Sequence, residues 1–218
     1  MSLASRVIEP EILDLASPTD AAANLADLVR INRWFGGHRV IRQSFERMEP
    51  PERFTVLDVG AASGDNGRAI RAGFPGARVT SLDLQPRNLA LADAPRVVGD
   101  AFALPFAPAS FDYVFCSLFL HHFEDAAVVE LLRAFARLAR RGVIVTDLER
   151  HALAAAFLPA TRRLFGWQHI TLHDGPISVR AAFTACELRE LARQAGLLRA
   201  DVRRHLPWFR LSLTAEAG

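Results

Sequence analysis

The sequence predicts an α/β protein built on a mainly parallel sheet. Three observations carry this: helix-like and strand-like segments alternate through the middle of the chain, residues 111–117 are apolar on both faces as a doubly covered strand is, and residues 54–60 (FTVLDVG) form a β-rich run that closes on a glycine before a helix. In order, the first 50 residues are mostly helical in pattern, with a turn at Gly36 and Gly37. The first strand is 54–60. A loop of small residues follows, then a helix over about 66–72, stopped by Gly73, Pro75 and Gly76. Residues 78–83 make a second strand, 96–99 a short third and 111–117 a fourth. From 125 to 140, Val128, Leu131, Leu132, Phe135, Leu138 and Ala139 recur on one side of a helix, with Asp125 as its expected cap. Gly142 is expected to break that helix before a fifth strand at 143–147. The pattern then changes for about 35 residues rich in Phe, Trp and His, which reads as an insert. Thr184, with Glu187 three residues on, forms a capping box ahead of Leu188, Leu191, Ala192 and Ala195, and Gly196 closes that helix. Residues 202–205 and 208–213 read as a terminal antiparallel strand pair around Pro207.

Composition narrows the function classes. With 218 residues, half hydrophobic and 23% charged, the chain can bury about 70% of its unfolded surface and needs no disulfide or metal staple. Cys116 and Cys186 need not pair. The longest apolar stretches fall short of the roughly 20 residues that span a bilayer, and no export pattern precedes Glu9, Glu11 and Asp14, so a reducing cytoplasm and no membrane partner are expected. All 26 basic residues are arginine. Schiff-base chemistry, a pyridoxal anchor and the Gly-Lys-Ser/Thr phosphate loop, which need lysine, are excluded. A net charge of +2, with the arginines scattered, does not argue for nucleic acid.

The informative segment is V56-L-D-V-G-A-A-S-G-D-N-G67, a strand delivered into a small-residue loop and then a helix, the layout of a nucleoside-binding turn. The dinucleotide pattern G-x-G-x-x-G fails, because Ala62 and Asp65 stand where the second and third glycines belong. Asp58 and Asp65 flank the loop, and a carboxylate about 5 Å from a phosphate costs roughly 3 kcal/mol at an effective dielectric near 20. A cationic ligand is expected instead.

D58-x-G-x-x-x-G64 resembles the first motif of the class I S-adenosylmethionine-dependent methyltransferases, and three further segments agree in order. The resemblance implies S-adenosyl-L-methionine as donor, with S-adenosyl-L-homocysteine as product, and a Rossmann-like, mainly parallel seven-stranded sheet with helices on both faces and an antiparallel terminal pair. It implies that Asp58, Gly60, Ala62 and Gly64 form the donor loop and that Asp83, 19 residues after Gly64, takes the ribose hydroxyls. Leu84 and Phe102 would flank the adenine, Asp100 would accept its amino group, and Ala101 would offer backbone. In F111-D-Y-V-F-C-S-L-F-L-H-H-F123, Cys116 and Ser117 would adjoin the methionine end. Ala62 departs from the family's usual glycine; its methyl should only trim affinity unless the backbone needs positive φ.

On this reading residues 1–50 are an N-terminal helical lid, 51–218 the methyltransferase domain, and 148–183 an insert contributing to the acceptor pocket. Trp34, Phe35, Phe157, Phe165 and Trp167 are either core or an apolar cover for a small, flat acceptor such as a phenol or quinone-like metabolite. His121 and His122 are catalytic-base candidates or packing and capping residues, and His38, His169 and His173 are alternatives. His169, His173 and Asp174 have weak metal spacing, which the Gly175-Pro176 break undermines, and no metal is expected. Cys116 reads as a buried thiol rather than a nucleophile. The expected reaction is in-line methyl transfer to a small molecule. An NAD(P)-linked oxidoreductase, an RNA methyltransferase and an inactive nucleoside-binding scaffold remain the rivals, and the oligomeric state is open.

Overall fold

The computed structural model describes residues 5–217. Strands β1 (Phe54–Val59), β2 (Ala77–Asp83), β3 (Arg96–Val98), β4 (Phe111–Ser117), β5 (Ala139–Leu148), β6 (Asp201–His205) and β7 (Arg210–Glu216) form one sheet in the order β3-β2-β1-β4-β5-β7-β6. β1 to β5 pair in parallel, and β7 runs antiparallel to both β5 and β6. The expected Rossmann-like sheet with its terminal antiparallel pair is therefore present.

Alternating side chains feed two cores. Helices α2 (Gly37–Arg47) and α3 (Asp65–Gly73) cover one face, where Ile41, Phe45 and Ile70 pack with Val56, Tyr113, Phe115 and Ile144. Helices α4 (Asp125–Leu138) and α7 (Ala185–Gln194) cover the other, where Leu131, Phe135 and Leu188 meet Leu57, Val114, Cys116 and Val145. β4 thus sends Tyr113 and Phe115 one way and Val114 and Cys116 the other, which is why it reads as apolar on both faces. Phe135 is fully buried, and replacing it by Ala would cost about 3–5 kcal/mol. The capping box is formed as expected, with Thr184 accepting from the Glu187 backbone and Glu187 from that of Thr184.

Four local expectations are corrected. Glu124, not Asp125, is the cap residue of α4, and its side chain makes no capping bond; Asp125 instead pairs with Arg6. Gly142 breaks no helix, because α4 has already ended at Leu138 and Gly142 lies inside β5, paired with Tyr113 on one side and Glu216 on the other. Glycine is required there by closeness: a Cβ would fall 2.5 Å from the Ala215 carbonyl oxygen. Trp208 and Phe209 lie in the turn before β7 rather than in the strand, and the Trp208 ring covers Gly36 so closely that a Cβ there would stand 2.5 Å from Cδ1.

The remaining helices are α1 (Pro18–Trp34), capped by Ser17 accepting from the Asp20 N–H at 3.2 Å, and two helices of the insert, α5 (Ala152–Phe165) and α6 (His169–Ala181). α6 runs straight through Gly175-Pro176, the fourth correction. An internal proline costs about 3 kcal/mol, and burial of Thr171, Asp174, Ile177, Val179 and Ala181 outweighs it. Among the described residues no helix is long and apolar enough to cross a membrane.

Candidate active site

A cavity of about 950 Å³ opens at the carboxyl ends of β1, β2, β4 and β5, the edge where open parallel sheets bind ligands. One half is walled by the loops after β1 and β2 and by residues 99–102. The other half is walled by α1, the residue 11–13 segment, α5, α6 and the turn before β7. The volume is at the upper end of the usual range for a single small-molecule site.

In the first half, β1 ends in a turn with Gly60 at φ +70°, Ala62 at φ +45° and Gly64 at φ +72°. Ala62 therefore sits in the left-handed region that a β-carbon disfavours, the condition under which the missing glycine matters. Its N–H is nevertheless spent well, donating to Asp83 Oδ2 at 2.9 Å. Asp83 also accepts from Gln85 N at 2.9 Å and Asn88 Nδ2 at 3.3 Å, so its carboxylate is fixed against the cavity wall. Asp100 accepts from the Phe102 N–H at 2.9 Å, and Phe102 meets Phe123 edge to face at 5.3 Å. Gly60, Ala62, Asp83, Leu84, Asp100, Ala101 and Phe102 all line this half, so the structure brings these expected residues together.

Four others lie behind the wall. Gly64 opens α3 against Ala92. Cys116 is fully buried in the core, and burial with the nearby charge of Asp147 lifts its thiol well above the ordinary range, which leaves it unreactive. Ser117 accepts from Thr146 Oγ1 at 2.8 Å. Asp58 is fully buried, and neither carboxylate oxygen has a protein partner among the described residues. Burial, reinforced by Asp83 and Asp65 and opposed by Arg71, pushes its pKa up to about 8. The picture of Asp58 and Asp65 as two open charges beside the loop is thus corrected: Asp58 is mostly protonated at neutral pH, and Asp65 is hydrogen-bonded to His38 Nε2 at 2.8 Å.

His121 stands where the two halves meet. β4 hands over to the short helix Leu120–His122 through Leu118, a non-glycine residue at φ +51° whose N–H is held by the Thr146 carbonyl at 2.9 Å. The turn buries His121 and places its Nδ1 2.6 Å from Asp147 Oδ1 at the end of β5. Asp147 also accepts from the Leu148 N–H at 2.8 Å and the His121 N–H at 3.3 Å. Burial alone would depress the imidazole, but the Asp147 charge and hydrogen bond outweigh it and raise the His121 pKa above its ordinary value. Burial would raise Asp147, but His121 and the Leu148 N–H hold it below the usual carboxylate range. With Nδ1 committed, Nε2 is the nitrogen left for chemistry. His122 lies against His121 with ring centroids 4.2 Å apart and the planes tilted by 32°, and burial and that neighbour hold it below its ordinary value. Glu11, His121 and His122 bring ligand-type atoms within 4.8 Å of one another. His169 and His173 stack at 6.5 Å on α6, away from this junction, and Asp174 is occupied by the Ile12 and Leu13 N–H groups.

The second half is mostly apolar. Leu25, Leu28 and Ile31 of α1, Phe35, and Leu153, Phe157 and Leu158 of α5 face the space. The anticipated aromatic cluster is real: Phe35 meets Phe157 at 4.7 Å and Phe165 at 5.5 Å, and Phe165 stacks on Trp167 at 5.0 Å. Only Phe35 and Phe157 of the cluster reach the cavity. Sequence reasoning missed Asp147, Glu11, Gln85, Asn88, Trp208 and Arg210. Asp147 alone carried a signal, as an acid at the end of the fifth strand on the ligand edge.

Residues 56–142 match a family model described as a methyltransferase domain. The chain is 32% identical over 210 residues to a demethylmenaquinone methyltransferase of Chlorobaculum parvum, covering 87% of this chain and 84% of that one. It is 29% identical over 160 residues to a malonyl-[acyl-carrier protein] O-methyltransferase of Methylococcus capsulatus, covering 69% and 56%. Among solved structures, a SAM-dependent methyltransferase from Aquifex aeolicus superposes with a TM-score of 0.63 at 14% identity, over 93% of this chain and all of that one. The magnesium protoporphyrin IX methyltransferase of Synechocystis with bound SAH gives 0.58 at 17%, over 87% and 85%.

Proposed function

Because this chain belongs to the class I S-adenosylmethionine-dependent methyltransferases, we propose that it moves the donor's methyl group to a small, flat, apolar aromatic metabolite of the phenol or quinol type. The observation that carries the reading is the single cavity in which the donor loops and an aliphatic and aromatic wall share one space, with His121 at the junction. The similarity to demethylmenaquinone methyltransferases supports an acceptor of that shape.

On this reading Asp83 accepts the ribose hydroxyls, Leu84 and Phe102 flank the adenine, and Asp100 takes its amino group beside the Ala101 backbone. The turn at Gly60 and Ala62 receives the methionine end, with Asp58 beneath it. The donor supplies an electrophilic methyl carbon on a sulfonium. The acceptor oxygen or ring carbon forms the new bond to that carbon as the carbon–sulfur bond breaks and its electron pair stays on sulfur, leaving a neutral thioether. The acceptor hydroxyl proton passes to His121 Nε2, and Asp147 stabilises the imidazolium that results. Holding the reactants at about 3 Å in a dry pocket can supply roughly 7–11 kcal/mol of the barrier reduction. α1 with residues 5–17, and the insert 148–183, form the cover over the acceptor; within the first 50 residues α2 belongs to the sheet core instead.

The test is incubation with the donor and a panel of naphthoquinols, catechols and simple phenols, read by mass spectrometry. Methylation of aromatic members is expected. Turnover confined to RNA or protein substrates would overturn the acceptor class.

A further inference from the structure

Arg210 opens β7 opposite Leu148 of β5 and is only 2% exposed, yet it lines the acceptor half of the cavity. Its guanidinium donates from Nε to the Phe35 carbonyl at 3.3 Å and from Nη2 to Asn32 Oδ1 at 3.0 Å. Both acceptors are neutral. Among the described residues, no carboxylate lies within the 4.0 Å of an ion pair with Arg210. Burial lowers its pKa to about 10, partly countered by Asp147, so it stays charged at neutral pH. A buried charge is costly unless it is paired, and a wall that only had to hold an apolar ring would not need one beside the cavity. The two neutral bonds hold the planar fork in a fixed direction, which is the preorganisation that carboxylate recognition needs.

We propose that Arg210 is the subsite for an anionic oxygen of the acceptor, so that the substrate is an aromatic ring bearing a carboxylate, phenolate or enolate rather than a neutral hydrocarbon-like ring. This rests on the aromatic-acceptor reading above and sharpens it. The strand order separates Arg210 from β1 by β4 and β5. With strands about 4.8 Å apart, that is roughly 14 Å from the donor turn. The guanidinium itself is held at the carboxyl end of α1, by the Phe35 carbonyl and Asn32, which places it on the acceptor side of the cavity. Its surroundings agree, since Phe35, Leu148 and Trp208 border the same space and offer apolar contact to a ring whose charged edge points at β7.

The experiment is calorimetric titration of the protein saturated with S-adenosylhomocysteine, using 2-naphthoate and its uncharged isostere 2-naphthamide. The wild type is expected to bind naphthoate at least about tenfold more tightly. Arg210→Gln should erase that preference while leaving naphthamide affinity within about twofold and homocysteine-nucleoside affinity unchanged. Asn32→Asp provides a second route that keeps the arginine: an internal carboxylate beside Nη2 should also abolish the preference, and this variant decides if Arg210→Gln does not fold. Equal binding of both ligands by the wild type, or a preference that survives either variant, overturns the Arg210 assignment and leaves the apolar pocket intact. A fall in nucleoside affinity together with the preference would move Arg210 to the donor and overturn it equally. Binding of neither naphthalene would refute the aromatic-pocket reading itself, and the subsite with it.

Discussion

Asp58→Asn separates what the donor turn costs from what it does. In the folded protein Asp58 ionises only near pH 8, against an ordinary value of 3.8, because it is buried, without a partner among the described residues, near the charges of Asp83 and Asp65, with Arg71 a weak counterweight. The unfolded chain gives up this proton near its ordinary value and the folded chain keeps it. Between about pH 4 and 8 the unfolded state therefore binds fewer protons, and stability falls as pH rises. The gap of about four pH units corresponds to ~6 kcal/mol above pH 8, of which ~4 kcal/mol is already expressed at pH 7. Asparagine removes the titration but leaves buried amide hydrogens unsatisfied, a cost of ~1–3 kcal/mol. The variant should thus be more stable than the wild type by ~1–3 kcal/mol at pH 7 and by more at pH 9, with a flatter profile. Urea unfolding at pH 5, 7 and 9 reads this directly. The donor's positive charge should in turn draw the proton off, so wild-type binding at pH 7 should release close to one proton, measured by calorimetry in buffers of different ionisation enthalpy. Asp58→Asn should release none and bind the donor more weakly. A variant whose stability tracks the wild type at every pH would refute the reasoning.

Asp147→Asn should lower the turnover plateau by about 10- to 100-fold, since a buried charge-assisted bond is worth about 1.5–3 kcal/mol. Because His121 must be neutral to accept a proton, wild-type turnover should rise with pH through its raised pKa. The groups facing it are Asp147, Glu11, Arg6 and His122. Removing the Asp147 charge should shift that limb to lower pH, and an unmoved limb in a pH-rate profile would dissociate His121 from the proton transfer. Ala62→Gly relieves a left-handed alanine worth about 1–2 kcal/mol at the expense of about 0.5–1 kcal/mol of glycine flexibility. Thermal unfolding should show a gain of ~0.5 kcal/mol with donor affinity kept or improved. Gly60→Val places a Cβ 2.5 Å from the Phe119 ring at φ +70°, and Asp83→Ala removes the anchor of the Ala62 N–H. Each should weaken donor binding more than about 100-fold by calorimetry.

The sheet was legible because its signals are local: β4 alternates cleanly between two cores, and the Thr184 capping box forms in the structure as it reads in the sequence. The first half of the cavity was legible for a related reason, since residues such as Gly60 and Asp83 stand at or just after strand ends. The insert was not legible because α5 and α6 contain Pro159 and Pro176, and tertiary burial rather than helix propensity holds them. The boundary at Gly142 misled for the same reason, since pairing with two neighbouring strands overrides a glycine's local preference. Of the second half only the aromatic residues Phe35 and Phe157 were legible; the polar groups Glu11 and Arg210, and Asp147 behind His121, escaped because they come together only through folding, from segments more than sixty residues apart.

On the proposed reading a bound donor and an aromatic acceptor react in one cavity and His121 takes the proton. Single-turnover transfer of labelled methyl from the donor to a naphthoquinol-type acceptor, compared between the wild type and His121→Ala, tests this most directly. Transfer by the wild type, with a rate at least about 100-fold lower in the variant and the same donor affinity in both, is predicted. Full-rate transfer by the variant, or a donor-saturated wild type that methylates no aromatic acceptor, would contradict it.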